Sequence, residues 1–305
     1  MASDRPRLLF VTDLAYRAAG RRYCDEDIFL TSRLREHFDL ALCHPLDAAA
    51  LLESPGFDAA VVRNSGPVLH HRAAYDEFRE RAAERGTPVC TQLTGKADQA
   101  GKQYLVDLTS QGFPVIPTVD RFEDVGRLPD AAEYVVKPKL GADSIGLEFV
   151  PRERLRALAH DEGPGSGVLV QPRIDFRYEV SFYYVDHAFQ YALYAPRPDR
   201  RWQLERYEPT PADLDFARRF IDWNDIDHGI QRVDACRAPD GGLLLVELED
   251  LNPYLSLDLL DDATRDSFVA SLTASLHRLL GGTGQPGGSG GPSSQLPGAS
   301  VSVPR

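Results

Sequence analysis

Lysine is almost missing from this chain. Of the 34 basic residues only Lys96, Lys102, Lys137 and Lys139 are lysine, and the rest are arginine. Coding bias in a G+C-rich genome accounts for the imbalance. A lysine kept against that bias still marks a place where arginine does not serve equally. Cysteine is sparse as well: Cys24, Cys43, Cys90 and Cys236 are scattered without a C-x-x-C pair. That excludes a disulfide scaffold and predicts a reduced, cytoplasmic setting. No apolar run approaches the roughly 18 residues a membrane span needs. The opening Leu8-Leu9-Phe10-Val11 is too short for a secretion signal and reads as a buried strand. Positive charge is in deficit, with 46 acidic against 34 basic residues and a formal net charge of −12, which argues against nucleic-acid or anionic-membrane binding. G-x-S-x-G and H-E-x-x-H are both lacking. Gly95 to Gln103 imitates a P-loop but puts five residues between its glycines and glutamine where Ser or Thr must bind metal. His70-His71 has no metal-ligand spacing to other residues and reads as a solvated helix start, and Trp202, Tyr207 and Trp223 read as packing residues.

What is present concentrates near the C-terminus. Gln231-Arg232-Val233-Asp234 and Val246-Glu247-Leu248-Glu249-Asp250-Leu251-Asn252-Pro253 read as two strands joined by the turn Pro239-Asp240-Gly241-Gly242. Alternate side chains of a strand share a face, so Arg232 goes with Asp234 and Glu247 with Glu249. Carboxylates crowded beside one arginine are costly without a further cation. A hard divalent ion such as Mg²⁺ takes oxygen ligands and usually arrives with a nucleotide's phosphates.

Three upstream segments extend the picture. Tyr134 to Lys139 is an apolar strand ending in lysines and running into Gly141, Ala142, Ser144 and Gly146, small enough for a loop to close over a ligand with its N–H groups inward; an ordinary hairpin with surface lysines fits equally. Val168 to Ile174 is a strand that could offer backbone groups to an adenine ring or be plain core. Glu179, eight residues after Gln171, heads an alternating strand and could take ribose hydroxyls.

The periodicity predicts an α/β chain with an N-terminal open parallel α/β domain over 1–115 and a disordered Gly/Pro/Ser tail over 281–305. Strands are expected at 7–12, 58–63, 88–90, 134–138, 145–150, 168–172, 178–185 and 189–194, and helices at 25–36, 73–85, 98–111, 151–160, 211–223 and 262–280.

Taken in order, the lysine-bearing helix, lysine strand, small-residue loop, Val-Leu-Val-Gln strand, glutamate strand, Arg-x-Asp strand and Glu-x-Glu resemble the ATP-grasp superfamily in its glutathione synthetase and D-alanine–D-alanine ligase pattern, over residues ~100–260. The resemblance implies a two-lobed ATP-grasp domain between the N-terminal domain and the tail, with a small lobe over 116–190 and a C-terminal lobe over 191–280. It implies that ATP phosphates are held by Lys102 and Lys137, with Ser144 in the covering loop. It implies an adenine pocket lined by Gln171, Pro172 and Ile174, and Glu179 on the ribose. Arg232 and Lys137 would be catalytic at the transferred phosphate, and Asp234, Glu247 and Glu249 would bind Mg²⁺ or Mn²⁺. Many relatives have Glu-x-Asn where this chain has Glu247-Leu248-Glu249 and an asparagine only at Asn252. That variant resembles small natural-product enzymes of the superfamily, including the cycloserine-forming type.

The implied activity is ADP-forming ligation of a small, amino-acid-like carboxylate to an amine through an acyl phosphate. A cyclising ligase, a kinase that stops at phosphorylation and a nucleotide sensor without turnover are the alternatives. Substrate contacts are expected from Arg63, Asn64 and Ser65 and from Arg173, Arg177 or Arg200-Arg201. Partners are small carboxylates and amines, with no nucleic acid or membrane, and a homodimer is admitted.

Overall fold

The computed structural model describes residues 5–18, 21–54, 56–64, 68–140, 146–155, 167–197, 200 and 203–281. Ser144, Ser65, Arg201, Trp202 and the tail beyond 281 lie outside this set, and so does the second half, 156–160, of the helix expected over 151–160.

The chain opens with β1 (Arg7–Thr12), the short pair β2 (Arg17–Ala18) and β3 (Arg21–Arg22), and α1 (Tyr23–Leu34). Then come β4 (Asp39–Cys43), α2 (Ala48–Glu53), β5 (Ala59–Asn64), α3 (Val68–Arg85) and β6 (Val89–Cys90). Strands β4, β1, β5 and β6 lie in that order in one parallel sheet. Its centre is buried on both faces, as parallel sheets require. Leu8 and Phe10 pack against Leu30, Leu34 and Phe38, while Leu9 and Val11 face Ala48, Leu52, Tyr75 and Phe78. The sequence pattern does not announce β4: Asp-Leu-Ala-Leu-Cys lies at the sheet edge and keeps most of its residues half-exposed, so it lacks a buried strand's continuous apolar run.

A helix expected over 98–111 is split. A 3₁₀ turn at Asp98–Ala100 stops at Gly101, whose φ of +91° suits only glycine, and α4 (Tyr104–Ser110) follows. The Pro-rich stretch after it is extended and joins a sheet: the Ile116 N–H donates to the Leu245 carbonyl (3.1 Å) and the Leu245 N–H to the Pro114 carbonyl (2.9 Å).

Next, β7 (Glu133–Pro138), β8 (Glu148–Pro151) and β9 (Val168–Pro172) form an antiparallel sheet with β7 central. The last sheet has β12 (Glu205–Arg206), β11 (Ala188–Ala195), β10 (Glu179–Val185), β13 (Ile230–Arg237) and β14 (Leu243–Glu249) in that order, all antiparallel. The hydrogen bonding divides these two sheets in the 173–178 connection rather than at 190, which falls inside β11, because β10 and β11 pair with the β13 side. Residues 97–115, expected in the N-terminal unit, likewise pack on the five-stranded sheet through Ala97, Tyr104, Leu105, Leu108 and Val115.

Two helices cover that sheet. Helix α5 (Pro211–Asn224) starts at a Thr210–Asp213 capping box and buries Phe216, Phe220 and Ile221 against Val180, Phe182, Val233, Ala235 and Leu248. Helix α6 (Asp262–Gly281) lays Phe268, Leu272 and Leu276 on Tyr183, Val185, Tyr191 and Ile230 of the opposite face, where they join the core of the parallel sheet. No helix among the described residues is long and apolar enough to cross a membrane.

Candidate active site

The face of the five-stranded sheet turned away from α5 carries the acidic residues. In the β13–β14 ladder Arg232 lies directly opposite Glu249, and Asp234 opposite Glu247. Directly opposed residues project to one side, so all four share a face, joined from β10 by Ser181, which is opposite Asp234 and donates to its Oδ1 at 2.6 Å. Arg232 forks onto Asp234, with Nε 2.9 Å from Oδ1 and Nη2 2.8 Å from Oδ2, and also binds Glu249 and the Tyr254 carbonyl (Nη1, 2.8 Å).

The lysines come from the other wall. Lys102 follows Gly101, and its backbone N–H donates to the Lys139 carbonyl (2.8 Å), which ties it to the end of β7. Its side chain is buried and ion-paired with Glu247. Burial by itself would lower the Lys102 pKa and raise that of Glu247; the pairing reverses both, so the lysine is raised and the carboxyl held below its usual range. Lys137 has no such close partner among the described residues: burial and the Lys102 charge push it down to about 8, against the pull of Glu247. Glu249 goes the other way, up to about 8, through burial and the neighbouring Asp234 and Glu247, with Arg232 opposing. Two carboxylates, Asp234 and Glu249, share the single Arg232 guanidinium, so the donor set is short of positive charge. All its donors are hard oxygens, so the set fits Mg²⁺ or Mn²⁺.

The remaining expected residues divide by strand face. Leu169 pairs with Lys137 and Gln171 with Val135. Leu169 packs into the cluster beneath α5, and Gln171, two residues on, shares that inward side of the strand. Its amide donates to Thr118 Oγ1 at 2.8 Å. Pro172 pairs with Tyr134 on the opposite face, and Ile174 is half-buried in the connection that follows. Glu179 lies on the acidic face, one pair beyond Ser181 and opposite Cys236. Two of the four lysines are elsewhere: Lys139 is on Asp120 (2.8 Å) and Lys96 over the Trp223 ring. Among the proposed substrate arginines, Arg63 is 1% exposed and bonded to Asp27, Glu26 and the Pro253 carbonyl, Arg173 is ion-paired to Glu133, and Arg177 binds the Pro239 carbonyl.

Several contributors were not legible beforehand. Ser181 shares the parity of Glu179, a usable signal. Asp98 and Asp250 carry none: Asp98 accepts the Asp250 and Leu251 N–H groups, and Asp250 accepts those of Ala97 and Gln99, which locks the Lys102 segment to the end of β14. His71 departs from the expectation of a solvated position. Asp13, His44 and His71, each just past a parallel strand or at the following helix, form the one group among the described residues with metal-compatible spacing, their ligand atoms within 4.8 Å. The lone pair a metal would need is missing there. The Leu46 N–H donates to His44 Nδ1 (3.2 Å), so the neutral ring carries its proton on Nε2, the nitrogen facing Asp13. The β13–β14 carboxylates do not converge this closely, since each is turned to a base.

No family model matches the chain. Cycloserine biosynthesis protein DcsG of Streptomyces lavendulae is 26% identical over 238 residues, covering 68% of this chain and 79% of that protein. A crystal structure of D-cycloserine synthetase DcsG superposes with a TM-score of 0.70 at 22% identity, over 90% of this chain and 99% of the other. D-Alanine–D-alanine ligase from Bacillus anthracis gives 0.63 at 14% identity, over 92% and 100%. The ATP-grasp ligase PsnB, complexed with a minimal precursor, Mg and ADP, gives 0.59 at 16%, over 89% and 99%. The chain has the ATP-grasp fold.

Proposed function

We propose that this ATP-grasp protein is an ADP-forming ligase that activates a small, amino-acid-like carboxylate as an acyl phosphate for attack by an amine. The observation that carries this reading is the Lys102–Glu247 pair with Lys137 beside it, set across from Arg232, Asp234 and Glu249. In-line transfer of a phosphoryl group needs little covalent help from protein; it needs positioning and charge. Lys102 and Lys137 bind the phosphates of ATP. Arg232, rigid on Asp234 and Glu249, faces the group in transfer and steadies its charge. Gln171 and the following residues to Ile174 border the adenine, and Glu179 the ribose. Asp234, Glu247 and Glu249 would hold Mg²⁺, which when bound offsets the phosphate charge. The substrate carboxylate attacks the γ-phosphorus, ADP leaves, and the amine displaces phosphate from the acyl phosphate, so no side chain acts as a covalent nucleophile.

The test is ADP release from Mg·ATP against pooled amino acids and their derivatives, with mass analysis of products. Amino-acid-dependent ADP and a condensed product support the proposal; nucleotide binding without ADP release returns the sensor alternative. The relation to cycloserine biosynthesis protein DcsG favours a second reading, in which both reacting groups sit in one substrate. A product equal in mass to one substrate less water would identify the cyclising reaction.

A further inference from the structure

Arg232 is held from two directions. Asp234 and Glu249 grip it within the sheet, and the Tyr254 carbonyl accepts from Nη1 at 2.8 Å. Tyr254 belongs to the irregular segment 253–257, beyond β14, whose backbone is fixed largely from the N-terminal unit. One carboxylate, Glu26, accepts two of its N–H groups, Leu255 on Oε2 at 2.9 Å and Leu257 on Oε1 at 3.1 Å. Arg63 Nη1 donates to the Pro253 carbonyl at 3.0 Å. Arg63 in turn lies against Glu26 (3.4 Å) and Asp27 (3.2 Å), and Asp27 accepts from Thr12 Oγ1 at 2.5 Å. Tyr191 Oη donates to the Leu255 carbonyl at 2.8 Å. The carbonyl that Arg232 uses is thus bracketed by bonds at 253, 255 and 257.

This network is expensive. Glu26 is 5% exposed, Asp27 0% and Arg63 1%, and an apolar trio of similar volume would join the two units at least as firmly. An apolar trio could not bind one backbone carbonyl and two N–H groups of the same short segment. We propose that Glu26 and Arg63 are positioning residues for phosphoryl transfer: they fix segment 253–257 so that the Tyr254 carbonyl keeps Arg232 aimed at the transferred phosphate, which couples chemistry in the C-terminal sheet to the N-terminal unit. The role of Arg232 rests on the ligase reading above.

The decisive variant is Glu26→Gln in the full-length protein, which keeps the shape but sets an amide donor against one of the two N–H groups. With Mg·ATP and the amino-acid pool, kcat for ADP release is expected to fall about 10–100-fold, the range for losing an outer partner of a reacting group. KM for ATP and Mg·ADP affinity should stay within about threefold, because Lys102 and Lys137 are untouched. Arg63→Lys should recover part of the kcat lost in Arg63→Met; if the latter does not fold, Glu26→Gln decides alone. An unchanged kcat in folded Glu26→Gln overturns the inference. So does a kcat loss matched by a rise in KM or a loss of folded protein, since a purely structural clamp would give that. A wild-type protein that releases no ADP removes the ligase reading and this inference together.

Discussion

Replacing Glu247 by glutamine separates the ion pair it makes with Lys102 from the metal-ligand role proposed for it. Glu247 is paired with Lys102, lies opposite Asp234 and feels Lys137. Its pKa is held below the usual range, so it is ionised at neutral pH. The amide in Glu247→Gln still accepts from the Lys102 ammonium. That bond stays charge-assisted through the ammonium, and what is lost is the attraction between the two full charges, so the fold should lose about 1–2 kcal/mol, less than a buried pair broken outright, on the order of 5 °C in Tm. Glu247→Ala instead leaves Lys102, 8% exposed, without its partner, and should cost about 3–5 kcal/mol. Activity should divide differently. As a ligand to the cation beside the transferred phosphate, Glu247 should matter at least as much as one oxyanion donor, about 10²–10³ in rate or ~2.7–4 kcal/mol, in both variants. The assay is coupled ADP release at saturating Mg²⁺, with thermal melts taken with and without Mg·ADP. Turnover of Glu247→Gln within threefold of wild type would remove the metal assignment. A melt as damaged as that of Glu247→Ala would refute the argument about the pair.

Other outcomes follow from the same geometry. Lys137 titrates near 8 in the free protein, well below 10.5, and phosphate binding needs it charged. The kcat/KM for ATP should therefore fall as pH rises through about 8, and Lys137→Arg should remove that limb from the pH–rate profile. Burial raises the Glu26 pKa from 4.5 to about 7, with Arg63 and the Leu255 and Leu257 N–H groups opposing and Asp27 adding to the rise. The folded state therefore holds the proton more tightly, and stability is lost as pH rises across that window. Chemical denaturation of wild type should show about 3 kcal/mol more loss between pH 4.5 and 7 than Glu26→Gln does. Tyr104 Oη accepts the Leu248 N–H at 2.8 Å inside the core. Tyr104→Phe should strand that donor and cost about 1–3 kcal/mol in urea unfolding, with ADP release lowered because Leu248 lies between the two glutamates.

Sequence alone determined many of the local elements, though not β4, α2 or the break at Gly101, and the chemistry they could bring. Alternation in Gln231–Asp234 and Glu247–Glu249 already gave each pair its shared face, because a strand's period of two is a local property. The scarcity of lysine pointed to Lys102 and Lys137, though it equally favoured Lys96 and Lys139, which the fold sends to Trp223 and Asp120. Only tertiary structure decided which strands are neighbours. The register that sets Asp234 against Glu247 and the hydrogen bond that draws Lys102 to the end of β7 join residues far apart in the chain. So do the Asp98–Asp250 lock and the grip of Glu26 and Arg63 on segment 253–257. The same holds for Asp13, His44 and His71, brought together only at the end of the parallel sheet. Such contacts leave no period or spacing in the sequence, because they are selected by the packing of whole sheets and helices and not by what stands next to each residue.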